Sequence, residues 1–397
     1  MHPKHAEIIE EIENSQKTGV ELEILEDGEE DVPSIPWDPA LIRVDAKAFS
    51  LRNILDMIDD GDLELAPDFQ RRNVWTRGQK SRLIESVLLR IPLPAFYFSA
   101  DEDGKMLVVD GLQRLSAIYD FVKCKPKDKR SYKLFKLEYL QDEVGGKYFQ
   151  DMEGTRWARR LYSTQIIANI VDPQTPDKVK FDIFKRINTG GSPLNAQEIR
   201  HCMSKSRSQK FLKKLAALKA FNDATGDNLR DHIRMVDREV ILRFCAFRLI
   251  DSIEKDYVHH NTMNAFLTEI TRKIDSEVSS KVLTKLGKDF ERAMNNALQL
   301  FGRHTFRKWP RGTDKIYPIN RALFDTWGIS LVDYEWQTIK PYKAAIVKAA
   351  REMMLNDNDF LSAISTSTST ASKIELRFFK VNEILKNAGL SRDEDGN

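Results

Sequence analysis

Leu51, Ile54, Leu55 and Ile58 recur at the three- and four-residue spacing of one helical face. Ser50 ahead of them is a hydroxyl N-cap and Gly61 behind them a stop, so a helix is expected between the two. Pro67 forbids a helix through "LELAPDFQRRNVW", which reads as an extended segment. Thr76 and Gln79 form a reciprocal cap for a second helix, whose apolar face is Leu83, Ile84, Val87, Leu88 and Ile91. Pro92 and Pro94 end it. "AFYFSA" and "KMLVVD" are joined by the turn-rich "DEDG", the pattern of two adjacent strands. The second strand runs into "LVVDGLQRLSAI", residues 107–118. There the apolar run stops at Asp110, Gly111 turns the chain, and Leu115, Ile118, Tyr119 and Val122 resume at helical spacing.

A lysine-rich loop, "KCKPKDKRSYKLFK", follows, then a further candidate strand, then the strand "TQIIANIVD". After Pro176 a helix carries Val179, Ile183, Phe184 and Ile187 into "NTGGSPLNAQEIR", where Gly190 and Gly191 break it. Asn195 with Glu198 caps the next helix. From residue 196 onward the pattern is mostly helical, as in "EVILRFCAFRLI" and "DFERAMNNALQLF". "STSTSTAS" is a low-complexity loop before the last helix. No internal repeat is present. Residues 1–44 read as an acidic leader, 45–195 as a mixed domain and 196–397 as a helical domain, an α+β chain with a mostly α-helical C-terminal part.

With 397 residues, 41% hydrophobic and 31% charged, the chain has material for two or three cores. No stretch approaches the roughly 20 apolar residues of a membrane span, and the charged N-terminus has no signal-peptide core. Cys124, Cys202 and Cys245 are odd in number and far apart, which fits reduced thiols and a cytoplasmic setting. Without an H-E-x-x-H, the seven histidines argue against a metallohydrolase. The net charge of +2 hides an asymmetry: residues 1–31 carry −9 and the remainder +11. That pattern fits a basic body for a polyanionic partner with a leader that competes for the same surface, or simply a solvated acidic tail. Residues 199–222, the loop 123–136 and "GRHTFRKWPRG", with Phe306 and Trp309, are basic enough to neutralise phosphates, the alternative being solvated faces.

The charged cluster at residues 110–114 sits where a strand hands over to a helix, and helix N-termini favour anions. For that stretch alone, a turn glycine beside a solvated arginine is the competing reading. Together, however, "PDFQRRNVW", "LIESVLLRIPLP", "VVDGLQRLSAI" and "FKRINTGGSPLNAQEIR" resemble the GmrSD restriction endonuclease N-terminal domain family, known for a D-G-Q-Q-R motif on a ParB/sulfiredoxin-like fold. The resemblance covers roughly residues 45 to 385, loosely in the helical half. It implies a ParB/sulfiredoxin-like N-terminal domain that binds and hydrolyses a nucleoside triphosphate with Mg²⁺, in systems that restrict foreign DNA.

On that resemblance Asp110 would hold Mg²⁺, with Glu85 as a second acid. Gly111 would let backbone approach a phosphate, and Arg114 would offer it a fork of donors. Gln113 would position a water or hydrogen-bond the ligand. Gln70 and Arg71 would line the same cleft, and Arg186 and Asn188 would add donors near a glycine loop that is either an anion cradle or an ordinary corner. No Walker A loop occurs. The family's glutamine is replaced here by Leu112, which can neither orient a water nor accept a proton, so nucleotide binding is better supported than hydrolysis. Family members often carry an HNH nuclease domain. No such segment is found here, which places any effector nuclease in another polypeptide. The alternatives are a ParB-like protein that binds or nicks DNA with the same Asp/Arg cluster, and a non-catalytic scaffold.

Overall fold

The computed structural model describes residues 8–13, 16–24, 42–65, 75–187, 194–232, 234–260 and 262–390. They form two compact units: Pro36–Leu194, and Met1–Ile35 together with Asn195–Asn397. Among the described residues, strands β1 (Glu10–Glu13) and β2 (Gln16–Glu21) make a hairpin in the latter. Strands β3 (Val44–Ser50), β4 (Leu63–Glu64), β5 (Phe96–Ala100), β6 (Met106–Asp110) and β7 (Gln165–Val171) make one sheet in the former, in the order β3-β7-β5-β6-β4.

In the Pro36–Leu194 unit the expected helices form where their caps place them. Helix α1 (Leu51–Asp60) starts with the Ser50 hydroxyl accepting the Asn53 N–H at 3.2 Å and ends on Gly61 at φ 81°. Helix α2 (Arg77–Leu88) carries the full Thr76–Gln79 capping box, and α3 (Leu112–Lys123) follows β6 directly. Apolar faces of all three meet the sheet in one core that includes Ile54, Ile84, Phe96, Phe98, Val108 and Ile118. The chain is α+β here and mostly helical from residue 196, as the periodicity predicts.

The candidate strand after the lysine-rich loop does not form. Leu134, Leu137 and Leu140 are buried and the residues between 134 and 140 are otherwise exposed. Burial every third residue does not suit a pleat whose faces alternate every second one. Two helices, α4 (Gln141–Val144) and α5 (Arg156–Ser163), lead instead into β7, and α6 (Asp177–Ile187) follows it.

The described part of the acidic leader, 8–13 and 16–24, is not a solvated tail. Val20 on β2 is fully buried, and the Glu21 N–H donates to the Ile319 carbonyl at 2.8 Å while the Ile319 N–H donates to Gly19 at 2.9 Å. Glu11 takes Arg321 at 3.0 Å, Glu21 takes the Asn320 amide at 3.0 Å and the Lys308 ammonium, and Glu23 takes the Thr368 N–H at 2.8 Å. These carboxylates complete a charged network inside the helical unit. Charge counting alone treats them as solvated because their partners lie hundreds of residues away.

Part of "GRHTFRKWPRG" is likewise spent inside the helical unit, while Arg303 and Arg311 stay exposed. Arg307 and Lys308 are buried. Arg307 donates to the Thr305 and Thr225 carbonyls at 2.9 and 2.7 Å, and His304 stacks on Trp309 at 4.1 Å. Arg200, in the basic stretch 199–222, is likewise buried, bonded to Gln197 and Asn264 at 3.0 Å each. Cys124, Cys202 and Cys245 are buried thiols. Among the described residues no helix is long and apolar enough to cross a membrane.

Candidate functional site

The centre of the site is the turn from β6 into α3. Asp110 is the last residue of β6, paired with Tyr97 of β5. Gly111 is the N-cap of α3 at φ 92°, and among the described residues no side chain caps the helix. Two causes require glycine here. The backbone is left-handed, and a Cβ at this position would lie 2.2 Å from Cδ1 of Phe96. The Phe96 ring therefore packs into the space that a side chain would fill.

Arg114 stacks on the other side of that arrangement, its guanidinium carbon 4.3 Å from the Phe96 ring centroid. Its Nη2 donates to Asp110 Oδ2 at 2.9 Å and to the Ala95 carbonyl at 3.2 Å, and its Nη1 donates to the Pro94 carbonyl. Burial lowers the guanidinium pKa and the Asp110 carboxylate raises it again, with burial the larger influence. The group stays cationic throughout the physiological range. The ion pair thus holds α3 to the end of β6, and the bonds of Arg114 to Pro94 and Ala95 tie it to the segment entering β5. Asp110, expected to hold an ion, and Arg114, expected to reach a phosphate, are brought together here and engage each other.

Gln113 lies one residue away. Its Oε1 is buried and accepts no hydrogen bond among the described residues. A buried acceptor without a donor is uncommon and costs about 1–3 kcal/mol. Leu112, at the position where the family motif has glutamine, is half-buried and packs against the core of this unit.

The remaining predicted residues do not all gather here. Gln70, Arg71 and Asn188 lie outside the described residues. Arg186 is exposed in the last turn of α6, and no hydrogen bond or ion pair among the described residues joins it to the junction. Glu85 has its carboxylate engaged by the backbone. It is buried on α2, and its carboxylate accepts the backbone N–H groups of Glu138, Tyr139 and Leu140 at 3.0, 2.7 and 2.9 Å. Burial raises its pKa, but the three N–H donors together with the Arg82 charge lower it further, so the net shift is below the ordinary 4.5. A carboxylate of this kind stabilises the fold above its ordinary pKa and loses that contribution as the pH falls through the depressed value. Glu85→Ala should therefore deprotect the amides of residues 138–140 in hydrogen exchange at pH 7, by about tenfold or more for a lost charge-assisted bond. The difference between the two proteins should shrink as the pH falls through that depressed value. Unchanged protection would show that the loop is held by its leucines alone.

One feature of this unit escaped sequence reasoning. Lys80 of α2 and Asp120 of α3 form a buried ion pair at 3.1 Å, with Arg130 3.5 Å from the same carboxylate. The available signal was a charge set within the apolar stretch "IYDFV". Among the described residues no three His, Cys, Asp or Glu side chains come close enough to hold a metal ion. Among the described residues, the carboxylate at the junction is that of Asp110. That suffices for Mg²⁺ only when phosphate and water oxygens supply the other positions.

A strand-to-helix junction with an aspartate, a left-handed glycine and an arginine on an α+β sheet is a class of site, and the comparisons give the class a family. Residues 51–204, from the first residue of α1 through β7 and α6, match the family model of the GmrSD restriction endonuclease, N-terminal domain. This segment carries a GmrSD-type N-terminal domain, which associates the protein with DNA-restriction systems. No curated protein and no solved structure matches the chain.

Proposed function

We propose that this protein is the nucleotide-binding component of a DNA-restriction system, and that a nucleoside triphosphate places its phosphates at the N-terminus of α3. The observation that carries this reading is the orphaned Gln113 acceptor beside a helix start that, among the described residues, no side chain caps. The free N–H groups and helix dipole suit phosphate oxygens. The buried Oε1 suits a donor, either a ribose hydroxyl or the water that would attack a phosphate. Arg114 faces the same corner with its charge shared with Asp110. Mg²⁺ would arrive with the phosphates and use Asp110, where it would neutralise phosphate charge. Any cleavage of DNA would fall to a separate effector nuclease.

The test is equilibrium binding of ATP, GTP, CTP and UTP with Mg²⁺, followed by single-turnover phosphate release. Wild-type protein should bind at least one of the four. Gln113→Ala should slow phosphate release by about tenfold or more, the lower range for a lost water-positioning group. Its melting temperature should not fall, since no described hydrogen bond of the fold is removed. Failure of all four nucleotides to bind, or a Gln113→Ala protein indistinguishable from wild type, would overturn this reading.

A further inference from the structure

A second surface of the same unit, the loop 125–140, is built to present two aromatic rings to solvent. Tyr139 is 69% exposed and Phe135 50%, while the leucines that alternate with them, Leu134, Leu137 and Leu140, are 1%, 8% and 7% exposed. Nothing in the core asks for an aromatic at 135 or 139. The backbone beneath both rings is nevertheless held by buried polar groups of α2. The Ser81 hydroxyl accepts the Phe135 N–H at 2.9 Å, and Glu85 accepts the Tyr139 N–H at 2.7 Å. Ser81 and Glu85 are one helical turn apart, so the two anchor points are spaced by about 6 Å. Between them Lys136 is held at φ 50°, a left-handed conformation that residues other than glycine adopt uncommonly.

The charges around the rings have one predominant sign. Residues 125–140 contain six Lys or Arg against Asp128 and Glu138. Lys125, Lys127, Lys129, Lys133 and Lys136 are exposed and form no ion pair among the described residues. Lys136 lies 5.3 Å from the Phe135 ring centroid and Lys133 5.1 Å from that of Tyr148. Asp128 is turned back onto the Lys125 N–H at 2.7 Å. Of the three basic stretches in the sequence, the other two bury an arginine or lysine in the helical core, and neither pairs its exposed lysines with solvent-exposed aromatic rings.

We propose that this loop is a contact surface for single-stranded DNA, with Phe135 and Tyr139 as stacking platforms for successive bases and Lys133 and Lys136 as phosphate contacts. Aromatic rings accept the face of any base, and lysines follow a backbone without reading sequence. A duplex, whose bases are already stacked, could use only the lysines. The choice of DNA rests on the restriction reading above; the surface itself does not use the nucleotide site.

The experiment is fluorescence anisotropy of labelled 20-nucleotide single strands with the full chain, across a salt series and without nucleotide. Phe135→Ala/Tyr139→Ala should weaken binding at least tenfold with the salt slope unchanged, because no charge is removed. Lys133→Gln/Lys136→Gln should reduce the slope by about 1.4, at 0.7 per phosphate contact on a single strand. Lys210→Gln/Lys214→Gln, on the exposed side of the helix Ser206–Ala216, should change affinity less than twofold. All three double variants should melt with the wild type, since each side chain is exposed. Absence of binding at low salt, an aromatic variant that binds like wild type, or an equal loss from the 210/214 variant would overturn the surface. Equal or tighter binding of a duplex or of the RNA strand would overturn its assignment to single-stranded DNA. These outcomes are independent of the nucleotide titration, so either proposal can fail alone.

Discussion

Asp325→Ala should cost the helical unit about 3–5 kcal/mol, the loss found when one partner of a buried ionic cluster is removed. Asp325 is fully buried on the helix Arg321–Leu331. Its carboxylate receives Arg243 Nε at 3.0 Å and Nη2 at 2.6 Å, and Arg377 Nη2 at 3.2 Å. Asp325 holds the Arg243 pKa above its ordinary value despite burial, whereas burial dominates at Arg377 and lowers it to about 10. Removing the carboxylate leaves two buried guanidinium groups without the carboxylate that hydrogen-bonds them both. For a unit of this size the melting temperature should fall by about 10 °C, read by calorimetry so that the two units are seen separately. Arg243→Met, Asp325→Leu and Arg377→Met together should recover most of that loss, because a well-packed apolar trio avoids the desolvation of three charges. If Asp325→Ala melts within about 1 kcal/mol of wild type, the arginines have other partners and the cluster is not what holds these helices in register.

Gly111→Ala should cost about 2–5 kcal/mol, the sum of about 1–2 for a left-handed backbone at an L-residue and about 1–3 for overpacking. The new Cβ meets Phe96 Cδ1 at 2.2 Å and Arg114 Nη2 at 3.1 Å, so the ring and the clamp on Pro94 and Ala95 must both move. A denaturant midpoint measures the loss. Phe96→Leu in the same chain should return the steric part and leave only the backbone part, a coupling that a double-mutant cycle reads directly. If Phe96→Leu returns nothing, the φ of Gly111 alone makes the position intolerant.

The junction was legible because everything that defines it is local. Caps, stops and the Asp110–Gly111–Arg114 spacing all act within four residues, the reach of one helical turn. The same holds for Ser50, for the Thr76–Gln79 box and for Asn195 with Glu198, each of which caps its helix as expected. What Arg114 grips was not legible. The carbonyls of Pro94 and Ala95 are 20 and 19 residues back, and only the antiparallel pairing of β5 with β6 brings them to it.

Glu85 shows the same division more sharply. Its position on a capped helix could be read, but a carboxylate looks the same in sequence whether it binds an ion, water or three backbone amides 53 to 55 residues away. The leader misled for a related reason. A segment of net charge −9 has no apolar face strong enough to announce burial, yet Glu21 and Asn320 meet across 299 residues and Glu23 and Thr368 across 345. The sequence by itself determined the capped helices, the strands β5, β6 and β7 and the chemistry of the turn, because these depend on spacings within one helical turn or one pleat. Strands β3 and β4 instead depend on partners far away in the chain. The tertiary structure alone decided which charges are spent holding the fold and which remain for a ligand, because a hydrogen bond is made with whatever group packing brings within about 3 Å.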